Sequence, residues 1–261
     1  MSTVTGTVLV IKVGGALLQC EMGMARLMDT VYQMLSRGQA IVIVHGGGYM
    51  VEEQLQANQM QTQKVDGLRV TPAEQMPVVV GALAGMANKT LQAAAKKAGI
   101  NSVGLSLADA DMVTATFKNG HLGNVGKVSP LNSQFITLLL ANQLMPIISS
   151  IAIDNDGNLL NVNADQAATA IAQLVAGQLI LLSDVSGVLD GKGKLIEQLN
   201  QTQIAELVKQ GVIDSGMKVK VEAALEVAQT LGEPVQVASW RDAKQLAELA
   251  NGLPVGTQIH P

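Results

Sequence analysis

The chain has 261 residues, 48% of them hydrophobic and 15% charged, which is enough to bury a large core and too apolar for a disordered polymer. A formal net charge of −4 and an aromatic share of 2% give neither a basic footprint nor stacking platforms for nucleic acid, so no nucleic-acid partner is expected. Cys20 has no second cysteine to pair with, and His45, His121 and His260 are too scattered for a zinc spacing, so a reducing, cytoplasmic setting and no protein-held metal cage are expected.

The N-terminus lacks a basic segment ahead of its short apolar run and does not read as a signal peptide. Apolar β-branched runs at 7–13, 40–44, 102–105, 145–149, 179–183 and 235–238 alternate with longer helical patterns. Such continuous apolar strands belong to a mostly parallel sheet covered on both faces, so the fold class is α/β, a three-layer αβα sandwich. The uncharged stretches 129–153 and 166–183 each divide into an amphipathic helix and a buried strand, and neither is read as crossing a membrane. Thr71-Pro72-Ala73-Glu74 combines an N-cap, a first-turn proline and a capping-box glutamate, and predicts a helix reaching Lys97 before Gly99. Asn163 can cap a second helix whose first turn contains Asp165. Lys118-Asn119-Gly120, Asn155-Asp156-Gly157 and Asp190-Gly191-Lys192-Gly193 predict β-hairpins added to the main sheet. No repeat or linker divides the chain, so a single two-lobed domain over 1–261 is expected.

Two glycine loops carry the first chemical signal. Lys12-Val13-Gly14-Gly15 ends a strand with a cation and a loop that lets backbone pass close to a phosphate. His45-Gly46-Gly47-Gly48 follows another strand and exposes N–H donors at a helix start. The same run could serve as a hydrolase oxyanion hole, but Gly104-Leu105-Ser106-Leu107-Ala108 lacks the second glycine of a nucleophile elbow. Neither a Gly-x4-Gly-Lys-Ser/Thr loop nor a Gly-x-Gly-x-x-Gly fingerprint is present, which disfavours a P-loop kinase and a dinucleotide oxidoreductase.

Taken in order, these loops, Gly67-Leu68-Arg69-Val70-Thr71, Asn161-Val162-Asn163-Ala164-Asp165 and Ser183-Asp184-Val185-Ser186-Gly187-Val188 resemble the amino-acid kinase family over almost the whole chain. The second and third segments resemble its acetylglutamate-phosphorylating members. The resemblance implies transfer of phosphate from ATP, with Mg2+, to the side-chain carboxylate of N-acetyl-L-glutamate, giving N-acetyl-L-glutamyl 5-phosphate in arginine biosynthesis. It implies that Arg69 and Asn161 hold the acceptor's end groups, Arg69 on the α-carboxylate, with Gly47, Gly48 and Asn163 beside them. Gly14 and Gly15 would form the phosphate loop, Lys12 and Lys220 would address the transferring phosphoryl group, and Asp165 would organise both lysines. Asp184, Val185, Ser186, Gly187, Val188 and Leu189, with Val212, Ile213 and Asp214, would meet the nucleotide.

Elementary chemistry agrees with this assignment. An arginine fork matches a carboxylate, and a carboxylate nucleophile, ionised at neutral pH, needs no general base. Ser215-Gly216-Met217-Lys218-Val219-Lys220 departs from the family's Gly-Gly-Met-Ile-Pro-Lys run. Lys218 and Lys220 face about 200° apart on a helix, so only one can address the phosphate, and the following residues favour Lys220. By resemblance, the part up to about residue 165 would hold acetylglutamate and the part from about 166 onward ATP. Because only about six residues precede the first strand, a homodimer without arginine feedback is expected. The competing readings are another member of the same family with a different acceptor and a catalytically silent ligand sensor; retention of Lys12, Lys220 and Asp165 favours catalysis.

Overall fold

The structure, a computed structural model, describes residues 6–65, 67–118, 120–213 and 215–261. Its strands are β1 (Leu9–Val13), β2 (Ile41–His45), β3 (Gln63–Val65), β4 (Leu68–Val70), β5 (Ser102–Ser106), β6 (Val113–Phe117) and β7 (Val125–Pro130). They continue with β8 (Met145–Ser149), β9 (Ile151–Ile153), β10 (Leu159–Val162), β11 (Gln178–Ser183), β12 (Gln198–Leu199), β13 (Val235–Ser239) and β14 (Thr257–Ile259). The α-helices are α1 (Gly15–Leu18), α2 (Glu21–Ser36), α3 (Gly48–Ala57), α4 (Met76–Val80) and α5 (Asn88–Lys97), followed by α6 (Gln134–Ala141), α7 (Ala164–Leu174), α8 (Gln201–Lys209), α9 (Ser215–Leu231) and α10 (Ala243–Ala250).

Among the described residues the main sheet has eight strands in the order β12-β14-β13-β11-β1-β2-β8-β5. Only β13 and β14 pair antiparallel. The alternation of β1 and β2 divides the core between the two faces. Leu9, Ile11, Val13, Ile41 and Ile43 pack with Leu27, Leu91 and Leu246 of α2, α5 and α10. Val10, Val42 and Val44 pack with Ile136, Ile171 and Ala224 of α6, α7 and α9. Burial on both sides is why these strands are apolar throughout, and the α/β expectation is met as a three-layer sandwich.

The expected hairpins take different places. The turn after β6 and the turn between β9 and β10 belong to a separate four-stranded sheet, β6-β7-β10-β9, closed by a parallel pairing of β10 with β7. Asn119, in the first of these turns, lies outside the described residues. The third turn is held by Asp190 and Lys194 but has only the single bridge Leu189 to Leu195 beside it, so it is a local turn and not a hairpin of the main sheet. A further hairpin, β3-β4, stands apart from both sheets.

The helix expected from Thr71 to Lys97 is helical from Ala73, with a π segment at Gly81–Ala87 between α4 and α5. Its expected capping box does not form. Thr71 instead bridges to Gly123, its N–H donating to Leu122 O at 2.8 Å, and no side chain caps the helix. Asn163 does cap α7, its Oδ1 accepting from the N–H groups of Asp165 at 2.9 Å and Gln166 at 3.2 Å. Among the described residues, no helix is long and apolar enough to cross a membrane.

Candidate active site

The parallel register ends β1, β2, β8 and β11 at one level, Val13 lying opposite both His45 and Leu182, and His45 opposite Ser149. From β1 the chain goes first to β2 on one side and later to β11 on the other. Open α/β sheets bind ligands at the carboxyl ends of strands where such a reversal occurs.

Both glycine loops lie there, in direct contact. A Cβ on Gly15 would stand 3.3 Å from Gly48 N and 3.5 Å from the Gly47 carbonyl carbon. A Cβ on Gly46 would stand 3.1 Å from Ala164 Cβ, and one on Gly47 2.9 Å from Leu83 Cδ2 and 3.2 Å from Ala87 Cβ. Close approach therefore constrains Gly15 against the second loop, Gly46 against the start of α7 and Gly47 against the π segment, whereas a Cβ on Gly48 would meet open space. Gly47 caps α3 without a side chain, which leaves the first N–H groups of that helix available to an anion.

His45 supports this loop from beneath. It is fully buried; its Nδ1 lies 2.9 Å from Gly46 O and its Nε2 3.0 Å from Asn88 Nδ2. An amide donor facing Nε2 requires that nitrogen to accept, so the neutral ring carries its proton on Nδ1 and donates to Gly46 O. Burial pushes its pKa down from 6.5 to about 4, against the smaller opposing effect of the Gly46 hydrogen bond.

Lys12 follows Val8 and Val10 on the α7 side of β1, and its Nζ meets Asp165 Oδ1 at 2.8 Å in the first turn of α7. Lys220 does not share that carboxylate. Its Nζ lies 2.6 Å from Asp184 Oδ1, just past β11, so each lysine has its own aspartate and Asp165 organises only Lys12 here. The Lys220 ammonium, by its hydrogen bond, holds the Asp184 carboxyl below its ordinary range. Lys218 pairs instead with Glu222 at 3.8 Å along the helix, consistent with the two lysines facing apart.

Gly47, Gly48, Arg69, Asn161 and Asn163 line one cavity of about 260 Å³, together with Ser150 and Lys64. Its size is at or just below the roughly 300–1,000 Å³ typical of small-molecule pockets. Arg69 is nearly buried, its guanidinium donating to Thr62 Oγ1, Gly48 O and Glu52 Oε2, each at 3.0 Å. The Arg69 hydrogen bond depresses the Glu52 carboxyl. Asn161 Nδ2 donates to Thr71 Oγ1 at 3.1 Å. Lys12, Lys220, Gly14 and Gly15 lie outside the lining, but Asn163 and Ala164 on its wall lead directly to Asp165 and so to Lys12. The sequence offered no reason to single out Glu52 and Ser150; Glu52 lies four residues after Gly48, the spacing that puts both on one face of α3.

The loop after β11 is pinned from two sides. Gln245 Nε2 donates to Ser186 O at 2.7 Å, and the Val188 N–H donates to Thr257 Oγ1 at 2.8 Å. Val185 N–H donates to Ser183 Oγ, Val188 is buried and Leu189 is exposed. Gly187 has φ +128°, and a Cβ there would lie 2.6 Å from Thr257 Oγ1, so both backbone and space call for glycine. Ile213 is buried in the core on the α9 side, while Val212 leans towards Gly191 of the neighbouring turn. Asp214 lies outside the described residues.

Comparison with known proteins agrees with this arrangement. The profile described as "Amino acid kinase family" matches residues 7–239. An acetylglutamate kinase of Shewanella amazonensis is 66% identical over 259 residues, covering 99% of each chain. The crystal structure of smu.665 from Streptococcus mutans superposes with a TM-score of 0.76 at 32% identity, over 97% of this chain and 98% of that one. A carbamate kinase from Giardia lamblia shares the fold, with a TM-score of 0.69 at 19% identity over 98% and 99% of the two chains. Full-length similarity, the strand order and the glycine loops converge on one conclusion: this chain belongs to the amino-acid kinase family.

Proposed function

We infer that the chain transfers the γ-phosphoryl group of ATP to the side-chain carboxylate of N-acetyl-L-glutamate, the acetylglutamate kinase reaction of arginine biosynthesis. The observation that carries this reading is the Lys12–Asp165 pair, which follows directly in the chain from Asn163 and Ala164 on the wall of a cavity lined by the triple glycine, Arg69 and Asn161. A fork of fixed N–H donors suits the acceptor's α-carboxylate, and the Asn161 amide suits its other polar end. Arg69 is held by Glu52 in this structure, which keeps the guanidinium aimed while the acceptor joins it.

The acceptor's side-chain carboxylate is already ionised and forms the new O–P bond directly. The bond from the γ-phosphorus to the β,γ-bridging oxygen breaks, and ADP leaves with the electron pair. No proton needs to be removed. The protein's part is positioning and charge: Lys12 and Lys220 stabilise the phosphoryl oxygens, while the Gly14-Gly15 and Gly46-Gly47-Gly48 loops admit the phosphates to backbone N–H groups. Asp165 orients Lys12. Among the described residues, no three His, Cys, Asp or Glu side chains come together to hold a metal. Mg2+ would enter on the ATP phosphates, with Asp165 and Asp184 as the carboxylates that would stand by it; when bound, the ion would offset phosphate charge. The loop from Asp184 to Leu189 and residues Val212–Asp214 form the nucleotide side, and the part of the chain up to about residue 165 forms the acceptor side.

The direct test is incubation with MgATP, hydroxylamine and each of acetylglutamate, glutamate and aspartate, with detection of the trapped hydroxamate. Acetylglutamate is expected to give product; hydroxamate from glutamate or aspartate alone would reassign the acceptor. In Lys12→Ala, kcat is expected to fall about 10²- to 10³-fold, the scale of losing one preorganised donor, with acetylglutamate affinity little changed. Wild-type turnover in that variant would remove Lys12 from the chemistry. We read the chain as cytoplasmic and homodimeric; for the dimer, the support is β5, which ends the main sheet among the described residues with an edge that a second copy can cover. Sedimentation as a monomer would contradict it.

A further inference from the structure

We propose that Arg241 is a positioning residue for Lys220, a second cation beside Asp184 that takes over this carboxylate when Lys220 turns to the phosphoryl group. The proposal rests on the reading that Lys220 acts on that group. It starts from the sheet: Ser183 of β11 lies opposite Ser239 of β13, and the pairing runs one residue further, Trp240 N–H donating to Ser183 O at 3.1 Å. Asp184 and the Trp240-Arg241 pair therefore leave the sheet side by side. The Arg241 N–H then donates to Ser239 Oγ at 3.1 Å, turning the chain at this level.

Trp240 is 4% exposed and lies so close to α2 that a Cβ on Gly23 would be 2.7 Å from its ring. Arg241 rests on this fixed platform, its Cζ 4.8 Å from the ring centroid. Arg241 makes no ion pair among the described residues, whereas Lys220 is tied to Asp184 at 2.6 Å. Its positive charge nonetheless reaches Asp184 and adds to the depression of that carboxyl.

The logic is one of exchange. An ammonium held by a carboxylate is in reserve, and to serve the phosphate it must leave that carboxylate uncompensated. Both members of the Lys220–Asp184 pair are half exposed, so the pair is weak and lysine's flexible stem can release it. A guanidinium that cannot deprotonate, fixed at the neighbouring strand end with its charge already felt by Asp184, offsets the charge left behind. Without it, Asp184 retains Lys220 more firmly.

The test is a double-mutant cycle with kcat and the KM values for ATP and acetylglutamate measured for Arg241→Gln, Asp184→Asn and both together, each checked for an unchanged melting temperature. Arg241→Gln is expected to lower kcat ~5- to 10-fold with the acetylglutamate KM unchanged, and to have less than about a twofold effect once Asp184 is Asn, a coupling of the size seen for interacting neighbours. Arg241→Lys, which keeps the charge, is expected to recover most of the loss. Equal losses from Arg241→Gln in both backgrounds, or wild-type kcat in Arg241→Gln, would overturn the proposal. Lys220→Ala separates the underlying reading: if kcat survives that change, Lys220 has no part in the chemistry, whatever Arg241 does.

Discussion

Exchanging His45 for asparagine isolates the contribution of a buried neutral imidazole to the acid stability of the glycine loop. In the folded chain, protonating Nε2 would set an N–H against the Asn88 amide, whose two N–H donors are shared among Nε2, Ile147 O at 2.8 Å and Leu105 O at 3.1 Å and are fixed by these carbonyls. Burial away from water, opposed in part by the Gly46 hydrogen bond, holds the pKa at about 4 against 6.5, and the Asn88 contact gives a protonated Nε2 no acceptor. Between those values the unfolded chain binds a proton that the folded chain refuses. The stabilisation is therefore fully present above about pH 6.5 and is lost progressively as pH falls towards the folded pKa of about 4. At about pH 4.5 the difference amounts to roughly 2–3 kcal/mol, a large part of the stability of an ordinary domain. Urea unfolding at about pH 7.5 and about pH 4.5 should show wild type losing roughly 2–3 kcal/mol more than His45→Asn between the two conditions. Any cost of the substitution that is independent of pH cancels in that comparison. Parallel losses in the two proteins, or a His45 resonance titrating near its unperturbed value, would refute the reasoning.

Three further outcomes follow from the site. Gly47→Ala places a methyl 2.9 Å from Leu83 Cδ2 and 3.2 Å from Ala87 Cβ; it should cost ~1 kcal/mol or more and lower the melting temperature, and an unchanged transition would show that the π segment yields freely. Arg69→Lys keeps the charge but loses the fork; the KM for acetylglutamate should rise about tenfold with the KM for ATP unaffected, and wild-type acetylglutamate kinetics would take Arg69 off the substrate. Asn163→Ala removes the α7 cap and should cost about 1 kcal/mol in denaturant unfolding, while Asn163→Asp should retain most of it; equal stability of all three would mean that the cap contributes nothing.

The central strands were legible because each is buried on two faces, a condition that writes a continuous β-branched run with little ambiguity. The Asn163 cap was legible for a local reason, since an N-cap is settled within four residues. What escaped was non-local. Period-two alternation identifies a hairpin but not the sheet it joins, and β10 reaches β7 across more than thirty residues, so the second sheet could not be read from its turns. Thr71 had a good local capping pattern, but its bridge to Gly123 drew it elsewhere. The β3-β4 hairpin was missed although Asp66-Gly67 is a turn signal, and Gly67 indeed has φ +77°. Of the site, the glycine loops, Lys12 and Asp165 were visible as motifs. The separate pairing of Lys220 with Asp184 was not, because it depends on where a helix three elements later approaches the end of β11.

Contact between Gly15 and Gly48 has a consequence for how acceptor choice can evolve. The spacing of the two glycine loops is fixed by main chain touching main chain, so on the proposed reading the distance from phosphate donor to acceptor does not depend on any side chain that recognises the acid. In the proposed reading, recognition falls to Arg69 on the β3-β4 hairpin and Asn161 on the second sheet, both outside the eight-stranded framework. New acids can therefore be admitted by rewriting peripheral strands while the trajectory of phosphorus stays untouched.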